Sequence, residues 1–191
     1  RKNRYARFVG GISFDSRDNK ILPKAGMTAM AEVEHLEALT DFSENTTRYS
    51  AEWAFYLTAK LPSRLVIANR IGASIIPNDR IDFFNANILG GRTNLRGYRR
   101  TRFYGQSSFY HNLDLRLKIA SFRSYIFPGQ FGILAFHDMG RVWVDGENSD
   151  VWHQGRGFGL WLSPLNTVVL NINYAFCEDD NLPSFYMSYF F

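Results

Sequence analysis

Apolar and polar residues alternate with a period of two along most of the chain. In one segment Tyr49, Trp53 and Leu57 share a face with other apolar residues, whereas Glu52 and Lys60 lie on the opposite face. Such alternation predicts β-strands. A tilted strand needs about 9–11 residues to cross a bilayer, and the segments supply this length. Nine segments carry the pattern, at about residues 5–16, 27–38, 47–60, 64–76, 106–121, 130–144, 154–163, 167–177 and 184–191.

The polar face of the fifth segment carries charges in mid-strand. Asp114, Arg116 and Lys118 alternate there with leucines and an isoleucine. In a soluble antiparallel sandwich, which is the alternative, the apolar face would form the core. In a membrane barrel the apolar face meets lipid and the charged face lines a hydrated interior. The mid-strand charges favour the barrel.

The lengths of the connections alternate as well. Tight turns follow the third and seventh segments, at residues 61–64 and 163–166, whereas the other connections are mostly longer and polar, and one runs from about 77 to 105. Short turns on one side and long loops on the other are typical of outer-membrane barrels. The connection after the first segment, with Pro23 and Gly26, is longer than this scheme requires. We therefore predict an all-β fold, an antiparallel transmembrane β-barrel in the outer membrane of a Gram-negative-type bacterium.

The number of strands is odd, although bacterial single-chain barrels have an even number. The ninth strand would run inward, so the first would begin outside the cell. Either one segment does not span the membrane or upstream strands are missing, and we favour the second explanation. We expect residues 1–191 to form one barrel domain of eight or nine strands. This domain would be the C-terminal half of a 16-strand barrel, and the chain would lack the upstream strands or periplasmic domains. The chain begins without an initiator methionine or signal peptide, as a mature form or a fragment does.

The net charge and the single cysteine limit which partners and which kinds of site the chain can have. The net charge is +4, and four arginines cluster in one loop, at Arg96, Arg99, Arg100 and Arg102. The remaining basic residues are scattered, so we do not expect a nucleic-acid surface. A basic loop can instead meet anionic head groups of outer-membrane lipid or lipopolysaccharide. The single cysteine, Cys177, excludes an intramolecular disulfide and a cysteine-rich metal site.

The most informative stretch is residues 90–98, which read GGRTNLRGY. An arginine on a loop inside a barrel needs carboxylates to pair with, because an unpaired buried charge is costly. Asp114 and Asp138 lie on strand faces that point the same way. They are therefore the two candidate partners for an arginine of this loop, and the contact would consist of charge-assisted hydrogen bonds.

Three glycines fall on one face of the seventh segment, at Gly155, Gly157 and Gly159. Such a stripe leaves space for close approach of another backbone. One interpretation is that the Gly97 turn of the loop docks there, with Tyr98 as a wedge beside it. The other is a bend of the barrel wall.

The chain ends on an aromatic strand, with Phe185, Met187, Tyr189 and Phe191 on one face. Such rings suit the aromatic girdle at a membrane interface. The strand also resembles the C-terminal signal by which the barrel-assembly machinery recognises its clients. The alternative is an ordinary buried terminal strand.

Four stretches together carry a family resemblance. They are FDSRDN at 14–19 followed by Pro23 and Gly26; Gly90-Gly91 with LRGY at 95–98; FHDMG at 136–140 followed by Val142-Trp143; and GFGL at 157–160 with Ser163-Pro164, ahead of the terminal aromatic strand. The chain resembles the C-terminal barrel region of the bacterial surface antigen superfamily, which includes BamA- and TamA-type insertases and FhaC-type secretion transporters.

The resemblance implies insertion or translocation of polypeptides without a cofactor. It implies that Arg96 and its loop fold back into the lumen and pair with Asp138 and Asp114 on the wall. The partners would be an unfolded or translocating polypeptide, and either upstream strands or a second copy of the chain to complete the wall. The alternative function is a passive pore, or a membrane anchor for an upstream domain.

Other groups of polar residues are weaker candidates. His137 and Asp138 with a serine would suit an esterase, but the chain has no nucleophile elbow, so we do not expect an enzyme. The four histidines lack the spacing of metal ligands. The acidic stretches at 145–150 and 178–180 fit solvated turns better than calcium sites.

Overall fold

The computed structural model describes residues 4–40, 44–60, 64–78, 83–122, 128–146, 150–165, 167–179 and 181–189. Its regular elements are strands, apart from one 3₁₀ turn at Phe83–Asn85. In chain order the strands are β1 (Tyr5–Asp15), β2 (Gly26–Ala38), β3 (Thr46–Lys60), β4 (Arg64–Ile75), β5 (Asn87–Leu89), β6 (Phe103–Gly105), β7 (Ser107–Phe122), β8 (Gly129–Trp143), β9 (His153–Pro164), β10 (Val168–Cys177) and β11 (Asn181–Tyr189).

Nine long strands form one antiparallel sheet whose order follows the chain, β1-β2-β3-β4-β7-β8-β9-β10-β11. This confirms the predicted all-β antiparallel architecture. Between the described residues of β1 and β11 there is no pairing, so the sheet is not closed and has two edges. The last strand begins at Asn181, earlier than the predicted residue 184, and includes Pro183. Proline cannot donate a backbone hydrogen bond and is tolerated here because β11 is an edge strand.

The two faces of the sheet differ in chemistry. We call the face that carries Asp138 the inner face and the opposite one the outer face. The outer face exposes large apolar side chains, as a lipid-facing surface requires. They include Phe8, Ile12, Trp53, Leu57, Ile133, Phe158, Leu160 and Ile172. Among the described residues, no helix is both long and apolar enough to cross a membrane.

The long connection between β4 and β7 is more ordered than the sequence predicts. Its strands β5 and β6 form a separate two-stranded sheet, which encloses the Arg-Gly loop (residues 90–98). Leu89 and Leu95 are fully buried, and Tyr98 is packed with them. Strands of three residues are too short to show a period of two, so the pattern could not reveal them.

The β1–β2 connection (residues 16–25) folds over the inner face. Ile21 and Leu22 pack against a cluster on the inner face of β8, β9 and β10. Backbone N–H groups of the connection donate to two side chains within it, Asp18 and Asn19. This packing explains why the connection is longer than a simple turn between neighbouring strands.

Candidate functional site: the Arg-Gly loop on the inner face

Glycine conformation shapes the Arg-Gly loop. Gly90, Gly91 and Gly97 have φ angles of 124°, 86° and 99°, which residues with a side chain rarely adopt. The Gly91 N–H donates to the Tyr98 carbonyl at 3.0 Å and closes the loop. The loop therefore presents Arg96 to the sheet as a fixed side chain on a tight turn.

Arg96 is held by Asp138 through three hydrogen bonds. Its Nε donates to one carboxylate oxygen at 2.7 Å and its Nη2 to the other at 2.6 Å. The Arg96 backbone N–H donates to the first oxygen at 2.9 Å. The Asp138 side chain is 0% exposed and that of Arg96 is 9% exposed. This is a bidentate, charge-assisted pair that is shielded from water.

Asp114 supplies a second carboxylate to the same guanidinium. Arg96 Nη2 donates to Asp114 at 2.5 Å, and the Asp114 side chain is 25% exposed. The Phe136 ring lies 3.9 Å from the guanidinium carbon, as in a cation–π contact. Burial alone would lower the pKa of Arg96, but the two carboxylates outweigh it and raise that pKa above its usual range. Arg96 therefore stays charged.

Neighbouring strands bind the loop at further points that the sequence analysis did not identify. The Arg70 guanidinium of β4 donates to the Thr93 carbonyl. The Asn112 amide of β7 donates to the Asn94 carbonyl at 2.8 Å, and its oxygen accepts from Arg70 at 2.8 Å. All these side chains point from the sheet to the loop backbone. Their positions on the inner face were visible in the sequence, but backbone acceptors in a loop leave no sequence pattern.

A second anchor lies before the loop. Arg48 of β3 donates to the Asn85 carbonyl at 2.5 Å and to Glu34 at 2.6 Å. Glu34 is buried and also pairs with Arg7. The long connection is therefore attached to β3, β4, β7 and β8, which fixes it over about half of the sheet.

The glycine stripe contacts the loop at a different residue from the one predicted. A side-chain carbon on Gly155 would collide with the Arg96 carbonyl oxygen. Gly97 instead faces β10, where its added carbon would lie 3.1 Å from Cys177 Cβ and 3.5 Å from Ala175 Cβ. The loop thus crosses β9 one residue earlier than expected and turns over β10.

The other two stripe glycines make room for neighbours within the sheet. A carbon on Gly157 would strike the Phe136 ring and the Tyr174 carbonyl. One on Gly159 would strike the Asn173 side chain. Gly157 therefore contacts the loop only indirectly, through the ring that covers Arg96.

Tyr98 packs beside the loop contact. It is 3% exposed, and its hydroxyl donates to the Gln154 carbonyl at 3.3 Å. Its ring meets Phe103 and His153 edge-on. Burial raises the pKa of Tyr98, so its hydroxyl keeps its proton at neutral pH. The tyrosine connects the loop to β9 and β6.

The terminal strand places two of its predicted residues on the outer face. Phe185 and Met187 are 64% and 53% exposed. Tyr189 ends β11, and Phe191 lies outside the described residues. In the described part of β11, these two side chains therefore lie exposed on the outer face.

The acidic stretches form ion pairs or lie partly outside the described residues. Asp150 pairs with Arg141 at 2.8 Å, and Asp179 pairs with Arg102 at 2.6 Å. Residues 147–149 and 180 are outside the described part of the chain. Within the described part, no group of three or more histidine, cysteine or acidic residues could hold a metal ion.

Comparison with known proteins identifies the family. A family model described as the Omp85 superfamily domain matches residues 1–186, which is nearly the whole chain. A search of the curated proteins found no match. Omp85 proteins are non-enzymatic outer-membrane β-barrels whose family function is the assembly or translocation of proteins at that membrane. The open nine-stranded sheet with its Arg-Gly loop therefore belongs to the Omp85 superfamily, as the four motifs predicted, and the chain is an outer-membrane protein.

Proposed function

We propose that this chain inserts polypeptides into the outer membrane or translocates them across it, with the Arg-Gly loop acting as a fixed support inside the barrel. The observation that carries the proposal is the buried clamp of Arg96 on Asp138 and Asp114. The clamp joins the loop to β8 through the fully buried Asp138 and to β7 through the partly exposed Asp114. In this proposal the clamp stiffens the middle of the sheet, and conformational change takes place at its edges.

The edges are where a client polypeptide binds in this proposal. Edge strands carry backbone N–H and C=O groups ready to pair with another strand. In hydrocarbon each unsatisfied group costs several kcal/mol, so the edges of β1 and β11 favour addition of a strand. β-Augmentation of this kind selects for extended backbone and tolerates many side chains. It suits a protein that handles varied clients.

Completion of the wall is part of the same proposal. Among the described residues the number of long strands is odd and two edges have no partner strand, so this proposal calls for additional strands, from an upstream part of the polypeptide or from a second copy. The heat-denatured mass of the native polypeptide from its own outer membrane tests this. A mass two to four times the 22.1 kDa of this chain supports upstream strands. A mass near 22.1 kDa supports pairing between copies.

The terminal strand takes the role of an assembly signal in this proposal. Phe185, Met187, Tyr189 and Phe191 would be recognised when this protein is itself inserted. Two of them are exposed on the outer face of an edge strand, where a recognising strand can reach them.

The test is a substitution of Arg96 that leaves the barrel inserted. Arg96→Ala removes the clamp, whereas Arg99→Ala removes an exposed arginine just after the loop and serves as the control. Both variants are placed in lipid vesicles and supplied with an unfolded client barrel, and the folded client is measured by protease protection. The proposal expects assembly to fall in Arg96→Ala only.

The alternative function predicts a different result. A passive pore or an anchor for an upstream domain would lose stability at most in Arg96→Ala, and client assembly would be absent from the unsubstituted protein as well. Full assembly activity and unchanged stability of Arg96→Ala would overturn the role of the loop.

A further inference from the structure

A cavity lies on the inner face between the β1–β2 connection and the Arg-Gly loop. Its volume is about 420 Å³. Pro23 and Lys20 line it from the connection, Arg92 from the loop and Arg116 from β7. We call it the inner chamber. The chamber borders the clamp at Arg96 and Asp114. It is a separate site because Lys20, Arg92 and Arg116 make none of the clamp's hydrogen bonds.

The inner chamber has a strong excess of positive charge. Its lining includes one carboxylate, that of Asp114, which Arg96 already engages. Six basic residues line it as well: Arg17, Lys20, Arg70, Arg92, Arg96 and Arg116. Three of these pair with carboxylates, namely Arg17, Arg70 and Arg96. The other three make no ion pair with any carboxylate in the described part of the chain.

Arg116 shows that the excess is built into the fold. Its Nη2 donates to the Pro23 carbonyl at 3.0 Å, which holds the side chain under the connection. Its Nε is buried without a hydrogen-bond partner among the described residues. A buried N–H donor without a partner is costly, and the carboxylates of Asp114 and Asp18 act on the Arg116 charge only at a distance. An arginine in this position therefore gains from an anion that enters the chamber.

The charge count indicates the class of anion. The chamber holds three cations without an ion pair, and the clamp beside them carries one surplus negative charge because Asp114 and Asp138 share the single guanidinium of Arg96, so the net charge is +2. One further carboxylate would offset only half of this charge. A phosphate monoester carries a charge of about −1.5 to −2 and three strong acceptor oxygens. Guanidinium groups bind such oxygens through two parallel N–H donors. We propose that the inner chamber is a binding site for a phosphate-type anion, held by Lys20, Arg92 and Arg116.

Two sources can supply this anion: free phosphate or pyrophosphate, and the phosphate of a lipid head group. The chamber is also lined by Tyr186 and Met187 of the edge strand β11, which gives a head group a path from the lipid side. Both sources would present the same phosphate oxygens to the chamber. They differ in whether an anionic lipid displaces a free anion from it.

The experiment measures the affinity of the full chain in zwitterionic detergent for inorganic pyrophosphate by titration calorimetry. Lys20→Gln with Arg92→Gln removes two exposed cations of the chamber, neither of which the fold uses in an ion pair. Arg99→Gln with Arg100→Gln removes the same charge from two exposed residues that follow the loop and do not line the chamber, and is the control. Because the chamber variant loses two charge-assisted contacts to the anion, it should bind at least about tenfold more weakly, with the control close to the unsubstituted protein.

The source is then tested in vesicles. Loss of pyrophosphate binding in vesicles that contain phosphatidic acid, but not in phosphatidylcholine alone, supports a lipid head group. Retained binding in both supports a free anion. Equal affinities of the two double variants would overturn the proposal, since binding would then reflect net charge alone. Displacement of pyrophosphate by polyglutamate at matched charge would overturn the phosphate class.

Discussion

Removing Asp138 should destabilise the protein far more than removing Asp114. Asp138→Ala leaves the Arg96 guanidinium without two of its three acceptor contacts and also orphans the Arg96 backbone N–H. Arg96 is about nine-tenths buried, so water replaces few of these contacts. Loss of one partner of a buried pair typically costs about 3–5 kcal/mol.

Asp114→Ala removes one contact from a side chain that is a quarter exposed. The Arg96 charge remains compensated by Asp138, and solvent screens the position that Asp114 leaves. Partly exposed ion pairs contribute about 0–1 kcal/mol, so we expect a loss near the top of that range.

The assay is urea unfolding of each variant in lipid vesicles. Unfolding is monitored by tryptophan fluorescence and by the difference in electrophoretic mobility between unheated and heated samples. The midpoint should fall in the order unsubstituted, Asp114→Ala, Asp138→Ala. The double variant Arg96→Leu with Asp138→Leu should recover part of the loss, because it leaves no buried charge unpaired. Equal midpoints for the two aspartate variants would refute the reasoning, since burial would then not determine the cost.

Three further predictions concern other parts of the fold. Gly155→Val should displace the loop, because its side chain would collide with the Arg96 carbonyl, and faster proteolysis within the loop would reveal it; unchanged cleavage would contradict the close approach. Phe185→Ser should slow assembly of the chain in cells and leave its refolding in detergent unchanged. Phe158 is similarly exposed, and Phe158→Ser should not slow assembly in cells. Equal slowing by the two substitutions would contradict a special role of the terminal strand. Burial tends to raise the pKa of Asp18, but the N–H donors of Lys24 and Ala25 lower this pKa overall. The Asp18 carboxylate therefore stabilises the β1–β2 connection above its unfolded pKa of about 3.9, and this stabilisation is lost as the pH falls through the lower folded pKa. Protease cleavage within residues 16–25 should rise only in acid, and a rise already at neutral pH would contradict this.

Local pattern predicted the wall of the protein well. The period of two is a property of each strand by itself, so it identified the nine long strands and the face that each residue occupies. Parity also placed Asp114 and Asp138 on one face, and the structure brings Arg96 to both of them. The alternation did not predict the three-residue strands β5 and β6 or the start of β11, because these stretches are too short to show it.

The contacts between connections and sheet were decided only by the tertiary structure. Whether Arg96 or Gly97 meets Gly155 depends on the path of the loop across β9 and β10, a shift of one residue that no local pattern encodes. The same holds for the β1–β2 connection, whose Ile21 and Leu22 find their apolar partners on strands more than a hundred residues away along the chain. The sequence by itself determined the strands and their faces, because alternation is local. The path of the connections across the sheet determined which inner-face residues meet, because those contacts join distant parts of the chain.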